Sequence, residues 1–243
     1  MKIGLWIFSV FLTFGLISCD KSDEGICFYY SNNAALQGEK VSQLTTLVTN
    51  DLSVTISGGN GDYSVVSDNQ EILTAELKNS TINITVHRTG NANIIVSDTK
   101  YTSQLSVTII SNIANYSVIE INAAVEIVEQ SLENDELTTQ FESEIMKKLR
   151  EVGALYRFIY NSKNAGKIIV FPLKDSNDSF EGSFSIENTH GTQYISMNYN
   201  DGKTDVYRSD DGYLIKDFIE EYQQKYPDIN FLRVEGGEKI TRL

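Results

Sequence analysis

Histidine, cysteine and proline each occur only twice in the 243 residues, and tryptophan once. The two histidines, His87 and His190, stand apart in the sequence. Neither has a Cys, His or carboxylate at the spacing of a metal site such as His-x-x-x-His. His87 falls on the polar side of an expected strand and His190 sits beside Gly191 in an expected turn. Both read as solvent-exposed residues without a role. So little cysteine excludes a disulfide-stapled scaffold. Basic residues are also few, 20 Lys and Arg against 33 Asp and Glu, for a net charge of −13. That balance excludes a nucleic-acid partner, which needs a basic face to displace counterions. It equally disfavours an electrostatic grip on anionic lipid. The N-terminal apolar run, Ile3 to Ile17, is fifteen residues, short of the roughly 20 that span a bilayer as a helix.

That run follows Lys2 and closes with Leu16-Ile17-Ser18-Cys19, the layout of a secretory leader. The closing tetrapeptide resembles the lipobox of Gram-negative bacterial lipoproteins. The resemblance implies acylation of Cys19, a signal peptide over residues 1–18, and an outer-membrane lipoprotein, surface-exposed or on the periplasmic face. Loss of Lys2 with the leader would take the charge from −13 to −14. The membrane partner is then reached through the lipid, since stable anchoring needs more than one acyl chain and a multiply acylated cysteine supplies them. Residues 19–40 read as a lipidated tether. Asp20-Lys21-Ser22-Asp23-Glu24 resembles the surface-export signal of lipoproteins in some gut-associated Gram-negative bacteria, with a plain solvated spacer as the alternative. Cys27, left alone, reads as a partly buried small apolar residue.

Residues 41–112 alternate with a period of two. Leu52, Val54 and Ile56 interleave with Ser53, Thr55 and Ser57, and similar runs surround Ile84 and Val107. Strands with one dry face give this pattern. Turn residues such as Gly58-Gly59-Asn60-Gly61 and Thr89-Gly90-Asn91 punctuate them, which predicts an immunoglobulin-like β-sandwich. The wording around Ile56–Asn69 and Gly90–Asp98 resembles bacterial immunoglobulin-like (Big-type) domains. Such domains are commonly spacers or adhesion modules, and no catalytic residue carries over.

Residues 113–243 change character. Helical spacing runs over 122–133 and 136–150, with Leu137, Phe141, Ile145 and Leu149 on one stripe. Five strands follow, at 155–160, 167–173, 180–187, 192–199 and 204–208. Leu214, Phe218, Tyr222 and Tyr226 make another helical stripe ended by Pro227, and a last strand is expected at 229–234. The prediction is an α+β domain, its helices packed on one face of an antiparallel meander. The helix-then-meander order resembles cystatin-like folds, and the domain matches no family known to us.

Chemistry is sparse. Gly58-Gly59-Asn60-Gly61 lacks the helix and Lys-Ser or Lys-Thr pair of a phosphate loop, so it reads as a hairpin turn. Asp175, Asn177 and Asp178 offer oxygens in one short loop, as do Asn200 and Asp201 with Asp205, or Asp210 and Asp211. The EF-hand spacing is missing, so these read foremost as hydrophilic turns. No Gly-x-Ser-x-Gly marks a nucleophile, no catalytic set stands out and no cofactor is called for. Tyr194, Tyr199 and Tyr207, on adjacent expected strands, are the ligand-contact candidates. By parity Tyr194 and Tyr199 face opposite ways, so some are core. The expectation is a non-enzymatic surface component for binding or adhesion, with a glycan or protein ligand. The alternatives are an enzyme whose carboxylates converge only in three dimensions, and a structural or inhibitor-type envelope protein.

Overall fold

The computed structural model describes residues 25–31, 38–128, 132–173 and 178–243, and of residues 132–134 the backbone alone. Cys19, Asp175 and Asn177 lie outside the described residues. The first nine strands are β1 (Cys27–Tyr30), β2 (Lys40–Val41), β3 (Gln43–Leu47), β4 (Leu52–Ser57), β5 (Ser64–Ser67), β6 (Leu73–Lys78), β7 (Thr81–Val86), β8 (Gly90–Ser97) and β9 (Thr102–Ile110). They form a five-stranded sheet in the order β2-β1-β4-β7-β6 and a four-stranded sheet in the order β3-β9-β8-β5. All pairs are antiparallel except β3 with β9, where Leu44 lies opposite Val107 in a parallel register. Alternate residues of both sheets point into one core. Val54, Ile56, Ile82, Ile84, Ile94, Val96, Leu105 and Val107 are each no more than 2 % exposed. β1 belongs to this core through Phe28, although residues 19–40 read as a tether.

Ser111 separates β9 from β10 (Asn112–Ile127), and α1 (Leu132–Met146) follows. Then come β11 (Leu155–Tyr160), β12 (Ala165–Phe171), β13 (Phe180–Thr189), β14 (Thr192–Tyr199), β15 (Thr204–Asp210), β16 (Tyr213–Asp217), α2 (Ile219–Lys225) and β17 (Phe231–Arg242). Each of these strands pairs antiparallel with the next, and β17 returns to pair with β10, closing an eight-stranded barrel. Two-residue turns set the register of two hairpins. His190-Gly191 and Asp211-Gly212 have positive φ at both positions, the geometry that matches the strand twist. His190 is therefore a turn residue. The interior is packed rather than hollow. Tyr156, Phe158, Ile168, Val170, Phe184, Met197 and Tyr207 fill it, and the rings of Phe158 and Phe184 meet edge to face at 5.0 Å.

The expected immunoglobulin-like sandwich followed by an α+β domain is therefore corrected. The described chain is mostly strand, with two helices, and its second half is a closed barrel beside separate sheets. Two local readings caused the error. Residues 122–133, expected as helix, are strand through Ile127. Ile121, Ala123, Val125 and Ile127 alternate into a third core under the helices, but Ala124 interrupts the polar face and blurs the period. The stripe from Leu214 to Tyr226 is two elements, because Leu214 faces the barrel core while Phe218 and Tyr222 face the helical one. The helices do not cover a sheet layer. They dock on the extended ends of β10 and β17, where Phe141, Ile145, Tyr222, Phe231 and Val234 meet.

The halves touch at one end of the barrel. Lys163 bonds Asp51 at 2.7 Å, the Thr89 amide donates to the Asn161 carbonyl at 2.9 Å, and Asn112 reaches Thr49 at 3.2 Å. Tyr160, at the end of β11, packs against the cores of both halves. The start of β11 marks the opposite, distal mouth.

Candidate functional site: the distal mouth of the barrel

After α1 the chain crosses the mouth as a short strap, residues 147–154, and Arg150 turns its side chain inward. The helix ends because Leu149 is already committed to the helical core, while the Gly153 amide bonds Val118 of β10 at 2.7 Å. Glu238, on an inward position of β17 opposite Leu214, has no exposed surface. Its Oε1 accepts from the Arg150 backbone amide at 2.9 Å and from the guanidinium at 3.4 Å. Its Oε2 accepts from the Tyr156 hydroxyl. The guanidinium also donates to the hydroxyls of Tyr207 and Tyr199, and to Asp205 at 3.1 Å. Its carbon lies 5.2 Å from the Tyr156 ring centroid. Lys216 donates to the other oxygen of Asp205.

This cluster is electrostatically locked. Burial alone would push the Asp205 carboxyl up, but Lys216 and Arg150 hold it below the usual range. Burial works against the Arg150 charge, yet the surrounding tyrosine oxygens and Glu238 raise it above its ordinary value. Burial pushes the Tyr156, Tyr207 and Tyr199 hydroxyls well up, so they stay protonated donors. Held ionised, the Asp205 carboxylate carries no proton to donate near neutrality, so it does not serve as a general acid.

Above the cluster opens a cavity of ≈ 520 Å³ lined by Met146, Lys147, Arg150, Leu173, Phe180 and Lys216, among others. Tyr199 belongs to the cluster and touches the Phe180 ring at 6.3 Å, and Tyr207 is core, 1 % exposed. Tyr194 faces the other way, onto the outer wall, where a groove of ≈ 500 Å³ runs beside Val206, Arg208 and α2. The structure thus brings Tyr199 and Tyr207 together and separates them from Tyr194. Of the acidic loop only Asp178 is described, and among the described residues no three His, Cys, Asp or Glu side chains converge as a metal site. Asp205 points into the cluster, whereas Asp210 pairs with Arg208 at 3.1 Å. Cys27 donates to the Gly25 carbonyl at 3.6 Å, His87 bonds Thr74 at 3.1 Å, and the amide of Asn60 in the glycine-rich turn faces the carboxylate of Asp98 at 2.6 Å.

Sequence reasoning missed Arg150, Tyr156, Lys216 and Glu238. One signal existed, since Glu238 falls in step with Val234 and Gly236 on an inward strand face, where a carboxylate needs a partner. No helix among the described residues is long and apolar enough to cross a membrane.

No family model matches the chain, and no curated protein matches it. Among solved structures, domains 5–6 of the S-layer protein SbsC are similar at 10 % identity and a TM-score of 0.27, covering 69 % of this chain and 92 % of that one. A chimeric titin Z1Z2 functionalised with a KLER exogenous peptide from decorin is similar at 10 % identity and 0.26, covering 77 % and 95 %. Scores this low carry no argument about fold or function.

Proposed function

We propose that this chain is a lipid-anchored protein of the bacterial cell envelope, held at the outer membrane through Cys19, that binds a ligand at the distal mouth of its barrel. The two N-terminal sheets serve as the spacer between tether and barrel. One observation carries the binding reading. Glu238, the one charged side chain that is buried among the described residues, and the cluster it anchors lie beneath an open cavity at the end facing away from the N-terminal half. Binding sites favour such mouths, where rigid strands hold a few polar groups in place beforehand. A catalytic reading has less support, because both carboxylates of the cluster already accept hydrogen bonds from Arg150. The Leu16-Ile17-Ser18-Cys19 tetrapeptide supports the anchor.

The test has two arms. Metabolic labelling with a fatty acid is expected to mark the full chain and to miss Cys19→Ala. For the site, a fragment library of sugars, amino acids, carboxylates and amines is screened by amide NMR shifts on residues 19–243 carrying Cys19→Ser. Shifts are expected around Lys147, Arg150, Phe180 and Lys216. Hits that cluster on the outer wall at Tyr194, or on the N-terminal sheets, would overturn the mouth as the binding site.

A further inference from the structure

The side chains around the mouth divide by chemistry, and the division names a ligand class; this rests on the reading of the mouth as the binding site. Among the described residues four cations line the cavity, Lys147, Lys148, Arg150 and Lys216, against two carboxylates, Glu151 and Asp205, while Glu238 and Glu221 pair with Arg150 and Lys148 just outside the lining. Asp205 is already taken up by Arg150 and Lys216. Lys148 is held by Glu221 and lies over the Tyr222 ring at 4.7 Å. Lys147 is exposed and makes no ion pair among the described residues. Lys216 spends a single donor on Asp205 and an ammonium has three. Lys147, with the spare donors of Lys216, is therefore the positive charge that the described ion pairs leave open at the mouth.

Beside these cations the rim is apolar. Phe180 is 49 % exposed, Leu173 44 % and Met146 37 %, and Ile121, Leu149 and Pro172 continue the surface inward. Such surface gains stabilising free energy when it is covered. A purely ionic ligand would leave these side chains uncovered. The cavity of ≈ 520 Å³ falls within the roughly 300–1,000 Å³ of small-molecule sites.

We propose that the mouth binds a small anionic amphiphile, its negatively charged head between Lys147 and Lys216 and its hydrocarbon body along Leu173, Phe180 and Met146. Arg150 is the anchored floor: its donors are engaged by Tyr199, Tyr207, Asp205 and Glu238. The head is read by ammonium groups, which act as point charges without a planar preference.

Isothermal titration of residues 19–243 carrying Cys19→Ser, below micelle concentrations, tests this with three probes. Dodecanoate has both features, dodecyltrimethylammonium keeps the chain and reverses the charge, and butyrate keeps the charge and loses the chain. Dodecanoate is expected to saturate a single site at least ten-fold more tightly than either other probe. Lys147→Glu and Leu173→Asp, both at exposed positions, are each expected to weaken it ten-fold or more, and Tyr194→Ala to leave it unchanged. Equal affinity for the dodecyl cation, no saturable dodecanoate binding, or full binding by Lys147→Glu would overturn the assignment. If the fragment hits map to the mouth while dodecanoate fails, only the ligand class falls; if they map elsewhere, the mouth itself falls.

Discussion

Glu238 has no exposed surface, and each of its oxygens is occupied, one by Arg150 and the other by Tyr156. Desolvating a carboxylate costs several kcal/mol per ion and is recovered only when partners are well placed. Removing Glu238 takes from Arg150 its one fully buried partner and leaves Asp205 alone to balance the guanidinium. Glu238→Gln is therefore predicted to lower stability by about 3–5 kcal/mol in urea denaturation. Asp205→Asn, at a position 18 % exposed, is predicted to cost less, because water reaches the charges it leaves behind. Equal losses would mean that Glu238 is not the partner on which Arg150 depends. Arg150 and Glu238 are 88 residues apart, so no local pattern joins them. Arg150 looks like an ordinary surface charge until the strap lays it beside Glu238 at the mouth.

At the scale of elements, Gly236 decides how the helices sit. A Cβ there would come within 2.8 Å of Ile145, 2.9 Å of Leu149 and 3.1 Å of Phe218. The missing side chain is what lets the end of α1, the strap and the approach to α2 lie directly on β17. Overpacking of this kind costs about 1–3 kcal/mol and is relieved by backbone shifts. Gly236→Val is predicted to lower the thermal midpoint and to raise amide exchange in α1 and the strap, while β4, β7, β8 and β9 keep their protection. Uniform loosening of both halves would contradict this. The stripe of Phe141, Ile145 and Leu149 was legible in the sequence because its spacing of four persists although the helix stops at Met146. Strands β11, β13 and β14 were legible for the same reason, each keeping a period of two between clear turns. The strand at 122–127 was not, because its two alanines carry no face preference and its partner β17 lies more than a hundred residues away.

For the whole molecule, closure is the property that local patterning hides. A meander reads alike whether it is an open sheet under helices or a barrel, since both alternate with the same period. The difference lies in the pairing of β10 with β17, from Tyr116–Arg242 to Ile127–Phe231. That pairing converts a sheet face into an interior and gives it two ends. One end is occupied by contacts with the N-terminal half through Asn161 and Lys163. The other carries the cluster and the cavity. The sole tryptophan, Trp6, precedes Cys19 and is absent from residues 19–243, so an indole introduced there reports on its own position. Phe180→Trp at the rim and Tyr194→Trp on the outer wall are titrated in turn with dodecanoate and with neutral maltotetraose. The account predicts a saturable change in indole emission for Phe180→Trp with dodecanoate and none for Tyr194→Trp. A change confined to Tyr194→Trp, with either probe, or no change at either position, would contradict it.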